Sequence, residues 1–183
     1  SGKSSLVKRL CADMIAAEIP CHQTREPGGS EGAEMIRALV VQGDAARWDA
    51  TTEALLMYAS RRDHVEKVIK PKLRDGVNVV TDRFADSSLA YQGFGHGNNL
   101  ATVRQIHQAA IGDFAPDLTF VLDVDPEIAL ARAKNRLSEA ETKEARSEDR
   151  FEQNDMQFHH RVHSAFKDLA SVFPERCVLI DAS

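Results

Sequence analysis

The chain has 183 residues, 43% of them hydrophobic and 28% charged, with a formal net charge of −5. That is enough apolar material for one domain with a real core, and the acidic balance gives no electrostatic basis for binding nucleic acid or an anionic membrane. No apolar run approaches the roughly 18 residues of a membrane span, and the scattered Cys11, Cys21 and Cys177 lack metal-ligand spacing and suit a reducing, cytoplasmic setting.

In chain order, Leu6, Leu10, Met14 and Ile15 recur at helical spacing between Ser4 and Glu18, and Pro20 stops that helix. "CHQTRE" reads as a short strand running into the loop "PGGS". Ser30 can cap a second helix from about Glu31 to Val41, and a third is expected from Thr52 to about Ile69, broken at Pro71. After the turn signal Asp75-Gly76, "VNVVTD" is a buried strand of β-branched residues. The glycine-rich "GFGHGNN" reads as a flexible connection between two helical segments. "LTFVLDVD" is the most apolar strand, and Pro126 opens the next helix. Residues 138–150 are charged and lack an apolar stripe; a long helix from about Phe151 to Val172 and the strand "CVLIDAS" follow. His159, His160 and His163 read as surface residues of that helix, because no Cys or paired carboxylate set accompanies them.

Strands alternating with helices specify an α/β fold, a parallel sheet flanked by helices. The first element is a helix with no strand before it, whereas a parallel crossover runs strand, helix, strand. The expectation is therefore a single domain over residues 1–183 whose central first strand, and a final covering helix, are absent from this chain.

Three groups of residues could carry chemistry. "SGKSS" at the start of a helix (Ser1, Gly2, Lys3, Ser4, Ser5) matches the end of a phosphate-binding loop, in which backbone N–H groups and the helix dipole cradle phosphate. Lys3 would reach the β- and γ-phosphates and the Ser4 hydroxyl would sit on Mg²⁺; the bland alternative is an ordinary helix start. "VVTDRF" ends a strand in Asp82, where a carboxylate can order the metal shell, and Arg83 beside it can grip a transferring phosphoryl group. The alternative there is a strand-end aspartate capping a turn. Arg25, Arg37, Arg61 and Arg83 lie within reach of one sheet edge and suit a phosphate-bearing acceptor.

"TREPGGS", "DRFADSSLAYQG" and "GDFAPDLTFVLDVDPE", in this order after "SGKSS", closely resemble the bacterial thymidylate kinase family over nearly the whole chain. The resemblance implies the P-loop NTPase fold and phosphoryl transfer from ATP, with Mg²⁺, to dTMP. It also implies a homodimer and a role for each matched residue. Arg25 would contact the acceptor phosphate, and Arg83 would bridge acceptor and donor phosphates. Arg61 would hydrogen-bond the thymine ring, Ser88 and Gln92 would read the base edge, and Tyr91 would pack on the sugar and exclude a ribose 2′-hydroxyl. Arg37 would line the same pocket. Met57 stands where the family often stacks a phenylalanine on thymine.

The charged stretch from about 132 to 150 resembles the family's mobile lid. Arg132, Lys134 and Arg136 match its entrance, Arg150 lies near its exit, and Arg136 and Arg150 are candidates for the arginine that touches ATP. The rival readings are a kinase of the same fold for another nucleotide or deoxynucleoside, a nucleotide-binding switch or ATPase without an acceptor, and an inactive fragment.

Overall fold

A computed structural model of the protein describes residues 2–97, 99–138 (136–138 as backbone) and 149–183. Gly2, at φ 75°, turns the chain into α1 (Lys3–Ala16), which lays Val7 and Cys11, one turn apart, on the core. Strand β1 (Cys21–Thr24) and the loop 25–30 lead to α2 (Glu31–Val41). That helix begins where Ser30 predicts: its side chain accepts the Ala33 N–H, and Glu31 and Glu34 put negative charge at the positive end of the helix.

Pro71 does not end the third helix. A short 3₁₀ turn (Ala45–Arg47) precedes α3 (Ala50–His64), which continues through a π-helical turn (Val65–Ile69) into α4 (Lys70–Arg74). In the π turn the Lys70 N–H reaches back five residues to the Val65 carbonyl. This resets the ladder just ahead of the proline, which sits in the first turn of α4, where a missing N–H costs little.

Strand β2 (Asn78–Thr81) leads into α5 (Ala85–Ser88), which runs on as a π-helical segment (Leu89–Gly95). The start of "GFGHGNN" is thus helical rather than a flexible connection. Helix α6 (Leu100–Ile111), β3 (Thr119–Asp123), α7 (Pro126–Ser138), α8 (Met156–Val172) and β4 (Cys177–Asp181) complete the order. Helix α8 starts five residues later than its apolar pattern implies, because Asp155 caps it by accepting the Phe158 N–H. A Cβ on Gly95 would come within 2.7 Å of Phe158 and 2.9 Å of Val162, so this glycine is required by close packing of the π segment on α8.

β1 pairs in parallel with β2, from Cys21 opposite Asn78 to Thr24 opposite Thr81. β3 pairs in parallel with β4, from Thr119 opposite Cys177 to Asp123 opposite Asp181. Among the described residues no ladder joins the two pairs. Val65, Ile69, Phe84, Ala85 and Ile111 form one core cluster, and Ala90, Phe158, Val162 and Ala165 form another. The first joins the π turn after α3 and the end of α6 to the start of the 85–95 helix, with Val79 of β2 packed against it, and the second packs that helix on α8.

Candidate active site

The loops leaving β1 and β2 meet: the Glu26 N–H donates to Asp82 Oδ1 at 3.2 Å. The first loop carries a cis Glu26–Pro27 peptide and then Gly28 and Gly29 at φ 121° and 91°. A Cβ on Gly29 would lie 2.6 Å from Thr24 Oγ1 and would also collide with His64 Nε2, so the turn accepts only glycine there. Glu26 is buried and accepts from Arg61 Nε at 2.7 Å and from His64 Nδ1 at 3.1 Å. The phosphate-binding candidate loop is thereby riveted to α3 through a carboxylate.

Arg61, 1% exposed, uses two of its three nitrogens on protein: Nε on Glu26 and Nη1 on Ser88 Oγ at 2.9 Å. Its plane lies over Tyr58 and Phe84, 4.6 Å and 5.3 Å from the ring centroids. Nη2 is buried with no partner. One turn beyond Ser88, Gln92, also 1% exposed, donates Nε2 to Glu53 Oε1 at 2.8 Å, and its Oε1 has no partner. Buried polar atoms are nearly always paired, and leaving one unpaired costs about 1–3 kcal/mol. Because Arg61 bonds Ser88, one turn before Gln92, this unused donor and unused acceptor stand in one neighbourhood, and a ligand edge that offers an acceptor beside a donor would satisfy both.

Glu53, fully buried, also receives His96 Nε2 at 3.1 Å and the Nη1 of Arg150. Burial alone would push its carboxyl up, but hydrogen bonds from His96 and Gln92, with the charges of His96 and Arg150, hold it below the usual carboxylate range. Arg150, 1% exposed, further donates to the carbonyls of Asp44 (3.1 Å), Val40 (3.1 Å) and Ala45 (3.0 Å). Arg150 thus ties the residues that follow the charged stretch to the end of α2.

The other expected residues fall as follows. Arg83 donates to the Tyr91 hydroxyl at 3.2 Å and lies 4.9 Å from its ring centre, so the two are held as a unit. Tyr91 packs edge-on against Phe151, Phe158 and Phe166. Arg25 is exposed and forks onto Glu34, with Nη2 to Oε2 at 2.9 Å, and Arg37 donates to the Pro27 carbonyl at 2.8 Å. Both arginines thus border the loop 24–30. Lys3, Ser4 and Ser5 stand in the first turn of α1, behind Gly2. Met57 is buried in a cluster with Val40 and Val41. Ser1 lies outside the described residues, as do Glu139, Glu141, Glu144 and Glu148 of the lid stretch, and Arg136 is described by its place in α7 alone. Arg132 donates to the Ala182 carbonyl at 3.1 Å.

Sequence reasoning missed Glu26, Glu53, His64 and His96. The available signal was spacing: Glu53, Met57, Ser60, Arg61 and His64 recur at helical intervals, one buried stripe that is mostly polar. A polar stripe on an inward face implies partners at the same depth.

This layout sets arginines beside the loops that leave β1 and β2, with unpaired polar atoms of Arg61 and Gln92 buried behind them. That is the site of a phosphate-loop nucleotide kinase, on the P-loop NTPase fold. The thymidylate kinase family model matches residues 1–183, and the chain belongs to that family. It is 48% identical over 183 residues to a thymidylate kinase of Jannaschia sp. (strain CCS1), covering 100% of this chain and 84% of the relative. It is 44% identical over 182 residues to that of Caulobacter vibrioides, covering 100% of this chain and 83% of the relative. The crystal structure of thymidylate kinase from Ehrlichia chaffeensis superposes with a TM-score of 0.71 at 32% identity, over 97% of this chain and 82% of that one.

Glu34 supplies a pH test of the loop. Burial would raise its carboxyl, but the hydrogen bonds from Arg25 and the Gly29 N–H, with the charges of Arg25 and Arg37, hold it below the ordinary value. A depressed native pKa stabilises the fold fully above the unfolded value of about 4.3, and that contribution is lost as pH falls through the native pKa. Urea unfolding across this acid range should lose stability more steeply for the natural protein than for Glu34→Gln; parallel curves would contradict the assignment.

Proposed function

We propose that this chain catalyses ATP-dependent phosphorylation of dTMP to dTDP, the activity of the family to which it belongs. The observation that carries the base assignment is the unpaired Arg61 Nη2 beside the unpaired Gln92 Oε1. Thymine offers a carbonyl next to a ring N–H and satisfies both atoms.

An oxygen of the dTMP phosphate attacks the γ-phosphorus of ATP in line; the new P–O bond forms as the bond to the bridging β–γ oxygen breaks, and ADP leaves. Such a transfer needs positioning and charge neutralisation more than covalent chemistry. Arg25 holds the acceptor phosphate once its fork turns from Glu34, and Arg37 supports the loop that carries it. Arg83, braced by Tyr91, spans acceptor and donor phosphates. Tyr91 also stands against the sugar, where it leaves no room for a 2′-hydroxyl. Lys3 and the N–H groups behind Gly2, with Ser4 and Ser5, cradle the ATP phosphates. The Ser4 hydroxyl and the Asp82 carboxylate are hard oxygen donors that fit Mg²⁺, which when bound adds positive charge to the phosphate oxygens. The segment from about 132 to 150 closes as a lid, with Arg136 its ATP-contacting guanidinium.

A homodimer and a cytoplasmic setting complete the reading. Met35, 73% exposed, and Leu39 lie one turn apart on the outer face of α2, with exposed Leu55 on the adjacent α3, an apolar face that suits a second copy. Free Cys11, Cys21 and Cys177 suit a reducing compartment, and no helix among the described residues is long and apolar enough to cross a membrane. Sedimentation of the full-length protein should give a dimer that Met35→Glu dissociates; a monomer at every concentration would remove the dimer from the account.

The activity is tested by supplying full-length protein with ATP and a panel of dTMP, dCMP and UMP. The expected result is transfer to dTMP first, with kcat/KM for dTMP falling about ten- to a hundredfold in Arg61→Lys, which keeps the charge but loses the fork. Preference for dCMP or UMP, or ATP hydrolysis indifferent to dTMP, would overturn the reading.

A further inference from the structure

We propose that Glu53 is a positioning residue that sets which pyrimidine edge the site accepts, by fixing the orientation of the Gln92 side-chain amide; this rests on the reading of Arg61 and Gln92 as the base-binding wall. The two ends of a glutamine amide have nearly the same size and shape, and only their partners decide which faces where. Gln92 has one partner in the protein, and it is a carboxylate. An ionised carboxylate accepts and cannot donate. Gln92 must therefore turn its NH₂ to Glu53, which leaves its carbonyl oxygen without a partner in the protein.

The ionised state of Glu53 is itself secured by geometry. Arg150 occupies Oε2 with a permanent positive charge at 1% exposure, and His96 Nε2 shares Oε1 with Gln92. The base-binding wall consequently offers a donor, Arg61 Nη2, and an acceptor, Gln92 Oε1. The imide edge of thymine or uracil, a carbonyl next to N–H, complements this pair. Cytosine presents the reverse, an amino group next to a bare ring nitrogen, and would leave both protein atoms unpaired.

Glu53→Gln separates this role from mere packing. In the variant the new amide must turn its oxygen to Arg150, which can only donate, so its NH₂ takes the place of Oε1 and faces Gln92. Gln92 then has to reverse and show its NH₂ to the base. The expected result is a fall of about ten- to a hundredfold in the ratio of kcat/KM for dTMP over dCMP, the cost of one mismatched buried hydrogen bond, with the KM for ATP unchanged. An equal loss for both nucleotides would assign Glu53 a structural role only and overturn the proposal. A wild-type protein that does not favour dTMP over dCMP would overturn the base-site reading beneath it. If wild type discriminates and Glu53→Gln keeps the same ratio, the Glu53 proposal fails alone. If Glu53→Gln does not fold, neutron diffraction on the wild-type protein locates the Gln92 deuterons. The proposal requires them on the atom facing Glu53, and finding them on the atom facing the pocket contradicts it.

Discussion

A guanidinium sealed from water must have a partner of opposite charge, and for Arg61 that partner is Glu26. Removing either member of such a pair typically costs about 3–5 kcal/mol, because the other is left charged and alone. The pairing decides more than stability. Glu26 belongs to the loop after β1, whose next residues, Pro27 to Gly29, run past Arg37 and His64; Arg61 belongs to α3. Tying them together brings the loop after β1 and α3, which carry the proposed phosphate and base contacts, into one register. It also uses up Nε, directs Nη1 to Ser88, and leaves Nη2 as the nitrogen available to a ligand.

A second buried pair, Glu53 with Arg150, repeats the device two turns earlier on the same helix. Here the arginine follows the charged stretch and holds the carbonyls of Val40, Asp44 and Ala45, at and just beyond the end of α2. The carboxylate holds Gln92 of the π-helical segment and His96 just after it. α3 therefore carries two carboxylate–guanidinium contacts, one reaching to the loop after β1 and one to the residues after the charged stretch. The proposed base-binding residues are held by both, so their geometry depends on long-range pairing rather than on loop conformation alone.

Much of the fold was legible from local chemistry. α2 begins and ends as read because Ser30 is an N-cap and the apolar spacing is regular. All four strands were legible, each ending one or two residues earlier in the structure, where pairing stops. Pro71 misled, since a π turn absorbs a proline that an α-helical ladder would not. The site divided differently. Arg61, Ser88, Tyr91 and Gln92 came from the resemblance of "DRFADSSLAYQG" and the third helix to a family, not from periodicity. Glu53 and Glu26 were invisible because charged residues are read by default as solvated, and their burial is set by arginines 97 and 35 residues away in sequence. The enclosure of Arg150 was invisible for the same reason: it follows a charged stretch in sequence, and its four acceptors all lie far away along the chain.

The most direct measurement is a crystal structure of the protein with dTMP bound. The account predicts a base carbonyl within hydrogen-bond distance of Arg61 Nη2, the adjacent ring N–H on Gln92 Oε1, and the Arg61–Glu26 pair intact. A thymine bound elsewhere, or bound with those two atoms still unpaired, would contradict it.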